Sequence, residues 1–168
     1  MATGAVGGDG GMSGLGDAPS LIRSRMPMLA RNDGVWEGRY RFIRPDLTLI
    51  DAYDFRIAVS FPEDGEGGIT YRQESAYHWD DGRAQSLMFE ARLAGDRLVF
   101  DNGRIGGIMW EVDDATLYLR FRFSETPEVE VFEMIQLAPN NIDRARTWHW
   151  LRDGKLFQIT LVDERRAS

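Results

Sequence analysis

The chain has 168 residues, 43% of them hydrophobic, which is enough for one domain with a buried core. Its 27 acidic and 20 basic residues leave a formal net charge of −7, so there is no positive field to hold a nucleic-acid backbone or an anionic membrane surface, and neither is expected as a partner. The absence of cysteine removes thiolate catalysis, iron–sulfur clusters and disulfides, and with only two histidines a zinc site would need carboxylates to complete it, so no metal is expected.

The first stretch, "MATGAVGGDGGMSGLGDAPS" (1–20), is rich in glycine and lacks the basic cluster and apolar run of a signal peptide; it reads as a disordered tail or an alternative start. Nothing further along reaches the roughly 18 apolar residues of a membrane span, and the expected location is the cytoplasm. "APSLIRSRMPMLARN" predicts a short helix, entered at Asp17 or Ser20 and broken at Pro27, before Asn32-Asp33-Gly34 turns the chain. From Gly34 to Glu164 the apolar residues recur at every second position, interrupted by Asp-Gly, Asn-Gly and Pro-containing turns. The pattern predicts strands over 35–43, 50–61, 69–79, 84–92, 97–101, 104–112, 116–123, 129–137, 143–151 and 155–163. An open meander of this length exposes two long edges, and closure removes them. The expected fold is therefore all-β: a single domain over 21–168, an antiparallel up-and-down barrel of eight to ten strands with a short N-terminal helical segment.

"NDGVWEGRYRFI" sets Gly34, Trp36 and Gly38 as G-x-W-x-G where the helical turn meets the first strand. Followed by the meander and the Arg/Trp-rich "RARTWHW", this resembles the opening motif of the calycin superfamily, which includes lipocalins, fatty-acid-binding proteins and nitrobindin-like haem barrels. The branch it resembles most is an uncharacterised bacterial group of lipocalin-like proteins. The resemblance covers about Leu29 to Arg166 and implies a fold, not an activity. It also implies that Trp36 closes the barrel floor beneath an arginine from a late strand, Arg146 or Arg165. "RPDLTLID" is too short for the helical pair of fatty-acid-binding proteins.

If Asp153-Gly154 is a two-residue hairpin, Trp150 faces Phe157, Trp148 faces Ile159 and Arg146 faces Leu161. Across "APNN", with Leu137 opposite Ile142, Glu133 comes opposite Arg146 and Val131 opposite Trp148; Leu119 then lies beside Glu133 and Phe121 beside Val131. The inner wall of the last four strands becomes apolar apart from one acid and one base, Glu133 and Arg146. Buried alone, each charge is costly; paired, they are either a satisfied ion pair or a polar anchor in a small-molecule cavity. Trp110, Trp148, Trp150, Tyr40 and Phe121 are the expected aromatic walls. "TYRQESAYHWDDGR" adds Tyr71, Gln73, Ser75 and Tyr77 as an inward polar stripe, with His78 at the rim.

No nucleophile elbow, P-loop, dinucleotide fingerprint or H-E-x-x-H occurs. The leading expectation is a barrel that binds a small hydrophobic or aromatic molecule without a cofactor. The alternative is cofactor-free isomerase, cyclase or hydratase/dehydratase chemistry with Glu133, Arg146 and Tyr71 as the acid–base set. Haem binding through His149, as the nitrobindin-like resemblance implies, meets the objection that parity sends His149 outward if Trp148 and Trp150 point in. A structural barrel without a ligand is the last reading, and a homodimer is left open.

Overall fold

Each alternating segment forms a strand because its even and odd positions meet different surroundings, a packed interior and solvent. A computed structural model describes residues 17–62 and 66–168. It contains α1 (Asp17–Arg25), α2 (Pro27–Ala30), β1 (Gly34–Ile43), β2 (Leu49–Ser60), a 3₁₀ turn (Glu66–Gly68), β3 (Tyr71–His78), β4 (Ala84–Ala94), β5 (Arg97–Asp101), β6 (Ile105–Glu111), β7 (Thr116–Phe123), β8 (Thr126–Leu137), β9 (Asp143–Arg152) and β10 (Lys155–Arg166). The strands close in the order β1-β10-β9-β8-β7-β6-β5-β4-β3-β2, every neighbour antiparallel. The tail expected over 1–20 falls mostly outside the described residues, and the helix begins at Asp17, one of the two predicted starts.

Closure depends on Gly38. It pairs with Glu164 across the β1–β10 seam, and a Cβ there would lie 1.9 Å from the Asp163 carbonyl oxygen. Any side chain would push the first and last strands apart, so the second glycine of G-x-W-x-G serves the barrel seam. Gly34, at φ +103°, supplies the left-handed turn out of the helical segment.

Two registers differ from the sequence arithmetic. Asp153-Gly154 is the expected tight turn, both residues at positive φ, but a bulge between Leu156 and Gln158 takes up one residue. Gln158 now faces Trp150, Thr160 faces Trp148 and Val162 faces Arg146. A one-residue slip exchanges the faces of a strand, so Thr160, Val162 and Glu164 are buried while Leu161 is 40% exposed. The β8–β9 connection is two residues longer than assumed: Leu137 pairs with Arg144, Glu133 with Trp148 and Ile135 with Arg146. An even shift keeps the faces, and Glu133 reaches Arg146 diagonally. Leu119 opposite Glu133 and Phe121 opposite Val131 are as expected.

The helices plug one end. Ile22, Met26, Met28 and Leu29 are buried beneath Trp36. α2 has no side-chain cap of its own, and the Glu111 carboxylate on β6 accepts the Leu29 N–H at 2.9 Å in its place. Among the described residues no helix is long and apolar enough to cross a membrane.

Gly38→Ala is expected to lower unfolding free energy by roughly 3 kcal/mol or more. Gly106→Ala, where a Cβ would meet nothing within 4 Å, is expected to stay within about 0.5 kcal/mol of the parent. Urea denaturation of the pair checks both; equal midpoints would contradict the seam argument.

Candidate functional site

"RARTWHW" is strand β9, and alternation places Arg144, Arg146 and Trp148 on one face. Arg144 belongs to the floor. It donates Nε and Nη2 to the two Glu164 carboxylate oxygens at 2.6 and 2.9 Å, and Nη1 to Asn32 Oδ1 at 2.6 Å. Its guanidinium lies 4.1 Å from the Trp36 ring centroid and that of Arg166 lies 4.4 Å away, while the indole N–H donates to the Asn32 carbonyl at 3.0 Å. Trp36 is thus the floor residue, but its arginines are Arg144 and Arg166. Arg146 sits one layer higher, and Arg165 is exposed and paired with Asp143. Arg144 was legible as the i−2 neighbour of Arg146; Glu164 was hidden by the β10 bulge.

Above the floor lies a cavity of about 70 Å³, walled by Tyr40, Phe121, Trp148 and Leu119 and by the polar side chains of Tyr71, Gln73, Tyr77, Glu133 and Arg146. The barrel is mostly filled, and the rings that wall the remaining space pack on one another: Trp148 meets Tyr40 edge-on at 5.7 Å and Phe121 at 5.9 Å. Tyr71 donates its hydroxyl to Gln73 Oε1 at 3.1 Å, and Gln73 Nε2 donates to Ser75 Oγ at 3.1 Å, so the stripe on β3 is internally bonded.

Glu133 and Arg146 are both buried, with Arg146 Nε donating to Glu133 Oε1 at 2.5 Å and Glu164 Oε1 3.9 Å from the same nitrogen. Burial alone would lower the Arg146 pKa; Glu133, Tyr40 and Glu164 outweigh it and hold the guanidinium well above its ordinary value, so it stays charged. With Arg144 against Glu164, two buried acids balance two buried bases. Two buried donors in this layer have no partner, Arg146 Nη1 and Trp148 Nε1. A buried unpaired donor costs about 1–3 kcal/mol.

Three expected residues lie elsewhere. Trp110 is on the outer face of β6 against Tyr118, ring centroids 5.2 Å apart, because Ile105, Gly107 and Met109 take the inner positions. At Gly107 the missing side chain lets the strand lie close against β7, where an added Cβ would come within 2.5 Å of the Phe121 Cβ. Trp150 sits at the rim, its indole N–H donating to Thr160 Oγ1 at 2.9 Å and its ring stacked on Phe123, and it does not line the cavity. His149 is exposed on the outer face, as parity required, and is not placed to ligate a haem inside the barrel; His78 is exposed as well. Among the described residues no three His, Cys, Asp or Glu side chains cluster as a metal site.

Burial raises the pKa of Tyr40 and Tyr53, pushes Tyr71 up to about 12, and raises Tyr77 against an opposing hydrogen bond with Ser75. A raised phenol pKa stabilises the fold fully below the unfolded value near 10, and that contribution is lost as pH climbs through the folded values. In an alkaline titration, phenolate absorbance from these four of the five tyrosines is expected to rise together with loss of circular dichroism above about pH 11. Their independent ionisation in a folded barrel would contradict the burial.

No protein-family profile matches the chain, and no curated protein matches it significantly. Solved structures do. The S-type phycobiliprotein lyase CPES from Guillardia theta superposes with a TM-score of 0.64 at 16% identity, over 88% of this chain and 97% of that one. A protein of unknown function from the DUF3598 family of Nostoc punctiforme gives 0.60 at 20% identity over 82% of this chain; the chain spans about half of its length, 48%. Rv2717c from Mycobacterium tuberculosis gives 0.59 at 15%, over 92% of this chain and 100% of that one. At these identities the likeness is one of fold, and the fold is a calycin-like, lipocalin-like β-barrel.

Proposed function

We propose that the barrel interior binds a small hydrophobic molecule of a few heavy atoms carrying a neutral oxygen acceptor, such as a short ketone, without a cofactor. The observation that carries this reading is the pair of buried, unpartnered donors in one layer, Arg146 Nη1 and Trp148 Nε1, on side chains that both line the cavity. A single acceptor oxygen taking both hydrogen bonds would relieve two desolvation costs together. The acceptor is neutral because the buried charges already balance, and an added anion would leave an uncompensated charge. The molecule is small because the free space of about 70 Å³ is well below the roughly 300–1,000 Å³ of larger ligand sites. A barrel of this shape also occurs in a phycobiliprotein lyase, which is consistent with an interior that serves a ligand.

Acid–base catalysis draws less support from the same residues. Arg146 engages Glu133 Oε1 directly, and the Tyr71 hydroxyl, pushed up to about 12, is spent on Gln73.

Acetone and its near-isosteric hydrocarbon isobutene separate the acceptor from the apolar body. Calorimetry is expected to show the ketone bound about 10- to 100-fold more tightly, the range of a hydrogen bond to a charged or well-aligned buried donor. Trp148→Phe keeps the packing with Tyr40 and Phe121 and should shrink that preference several-fold. Equal affinities, or a preference untouched by the substitution, would refute the proposal.

A further inference from the structure

We infer that the upper half of β4 is an unpaired strand edge that joins two copies of this chain through an antiparallel β4–β4 contact about a two-fold axis. β4 runs for 11 residues, yet β5 pairs with only Arg92, Leu93 and Ala94. On its other side β4 is paired with β3 all the way up to Ala84. The β3–β4 hairpin therefore rises beyond β5, and among the described residues no strand covers Ala84–Glu90 on that flank.

The direction of the backbone groups follows from two bonds. The Ala91 carbonyl accepts from Thr70 on the β3 side at 3.0 Å, and the Glu90 carbonyl accepts Asn102 Nδ2 on the β5 side at 3.3 Å. Alternation then turns the N–H and C=O groups of Ala84, Ser86 and Met88 to the open flank. Such an edge is normally blunted by lysine, proline, a bulge or an outward charge. Here Ala84, Ser86 and Met88 are uncharged and exposed, Met88 at 55%, and the register with β3 is unbroken.

A second copy fits this edge without further assumptions. Only even residues present their groups, so an antiparallel partner must set even against even. The register that uses the whole stretch places Ser86 against the second copy's Met88 and Ala84 against its Glu90. No like charges meet, since Glu90 is already neutralised by Arg72 at 2.8 Å and Arg83 by Asp81 at 2.7 Å. The two exposed Met88 side chains fall on the diagonal of the pairing, within contact distance of each other. They lie beside a shallow outer depression formed by Ala58, Ala76 and Ser86, which leaves room for them. The contact is isologous and closes at two.

Sedimentation velocity of the full chain over a concentration range tests this. The expected result is a monomer–dimer equilibrium. Ser86→Pro removes an N–H that the monomer does not use, so the fold should persist while the dimer dissociation constant rises by at least about 30-fold. Met88→Lys, on an exposed outer position, should act in the same direction and stands in if the proline variant fails to fold. Hydrogen exchange is expected to show Ser86 and Met88 amides protected in the parent and open in the variants. A parent that stays monomeric at every concentration, a dimer indifferent to both substitutions, or open-ended oligomers would each overturn the inference.

Discussion

The barrel is held shut by one contact: the approach of β10 to β1 at Gly38 and the carboxylate that this approach delivers. Glu164 lies opposite Gly38 and points inward, where both its oxygens are taken by Arg144. Arg144 is then fixed over Trp36, and Asn32 ties both to the helical plug. A buried bidentate pair of this kind contributes little net stability against an apolar replacement, but losing one partner costs about 3–5 kcal/mol. Its consequence is specificity, because the register that pairs Glu164 with Gly38 is the one in which this carboxylate reaches Arg144 through both oxygens.

The same register governs the interior above. Glu164 Oε1 also lies 3.9 Å from Arg146 Nε, so the floor pair and the cavity pair form one buried array, with charge balanced across it. Balance leaves Arg146 charged but incompletely bonded, and places the indole N–H of Trp148 beside it without an acceptor. Native interiors seldom leave donors unpaired, and two of them fall in one layer of this barrel. The tyrosines around them are held protonated by burial and supply shape and polarity, not charge.

The ends of the barrel differ. One is sealed by α1 and α2, with Glu111 capping the short helix from the barrel wall. The other is rimmed by aromatic side chains, Phe42, Phe123 and Trp150 among them, and by the β3–β4 hairpin that stands above β5. The aromatic rim and the upper half of β4 therefore share one end of the barrel. Phe89, on the inner face of β4, lines the cavity beneath the Arg104 guanidinium, 5.7 Å from its ring.

What the sequence by itself determined is local. Period-two alternation and the residue types at the turns account for all ten strands, for the helix broken at Pro27, for the inward Leu119, Phe121, Val131, Glu133, Arg146 and Trp148, and for the outward His149. These follow from a few neighbouring residues each, and errors of an even number of positions, such as the longer β8–β9 turn, leave the faces unchanged. Tertiary structure alone decided what depends on strand meeting strand. The bulge beyond Asp153-Gly154 exchanged the faces of β10 and turned Glu164 inward, something no alternation within "KLFQITLVDERR" announces. The β6–β7 register turned Ile105 and Met109 inward and Trp110 outward although "IGGIMWE" is apolar at both parities. The unequal lengths of β4 and β5 left an edge free only because the strands around them tilt and stagger to close the barrel. Alternation fixes which way a side chain points along its own strand; what it meets there is set by register, a non-local quantity that packing resolves.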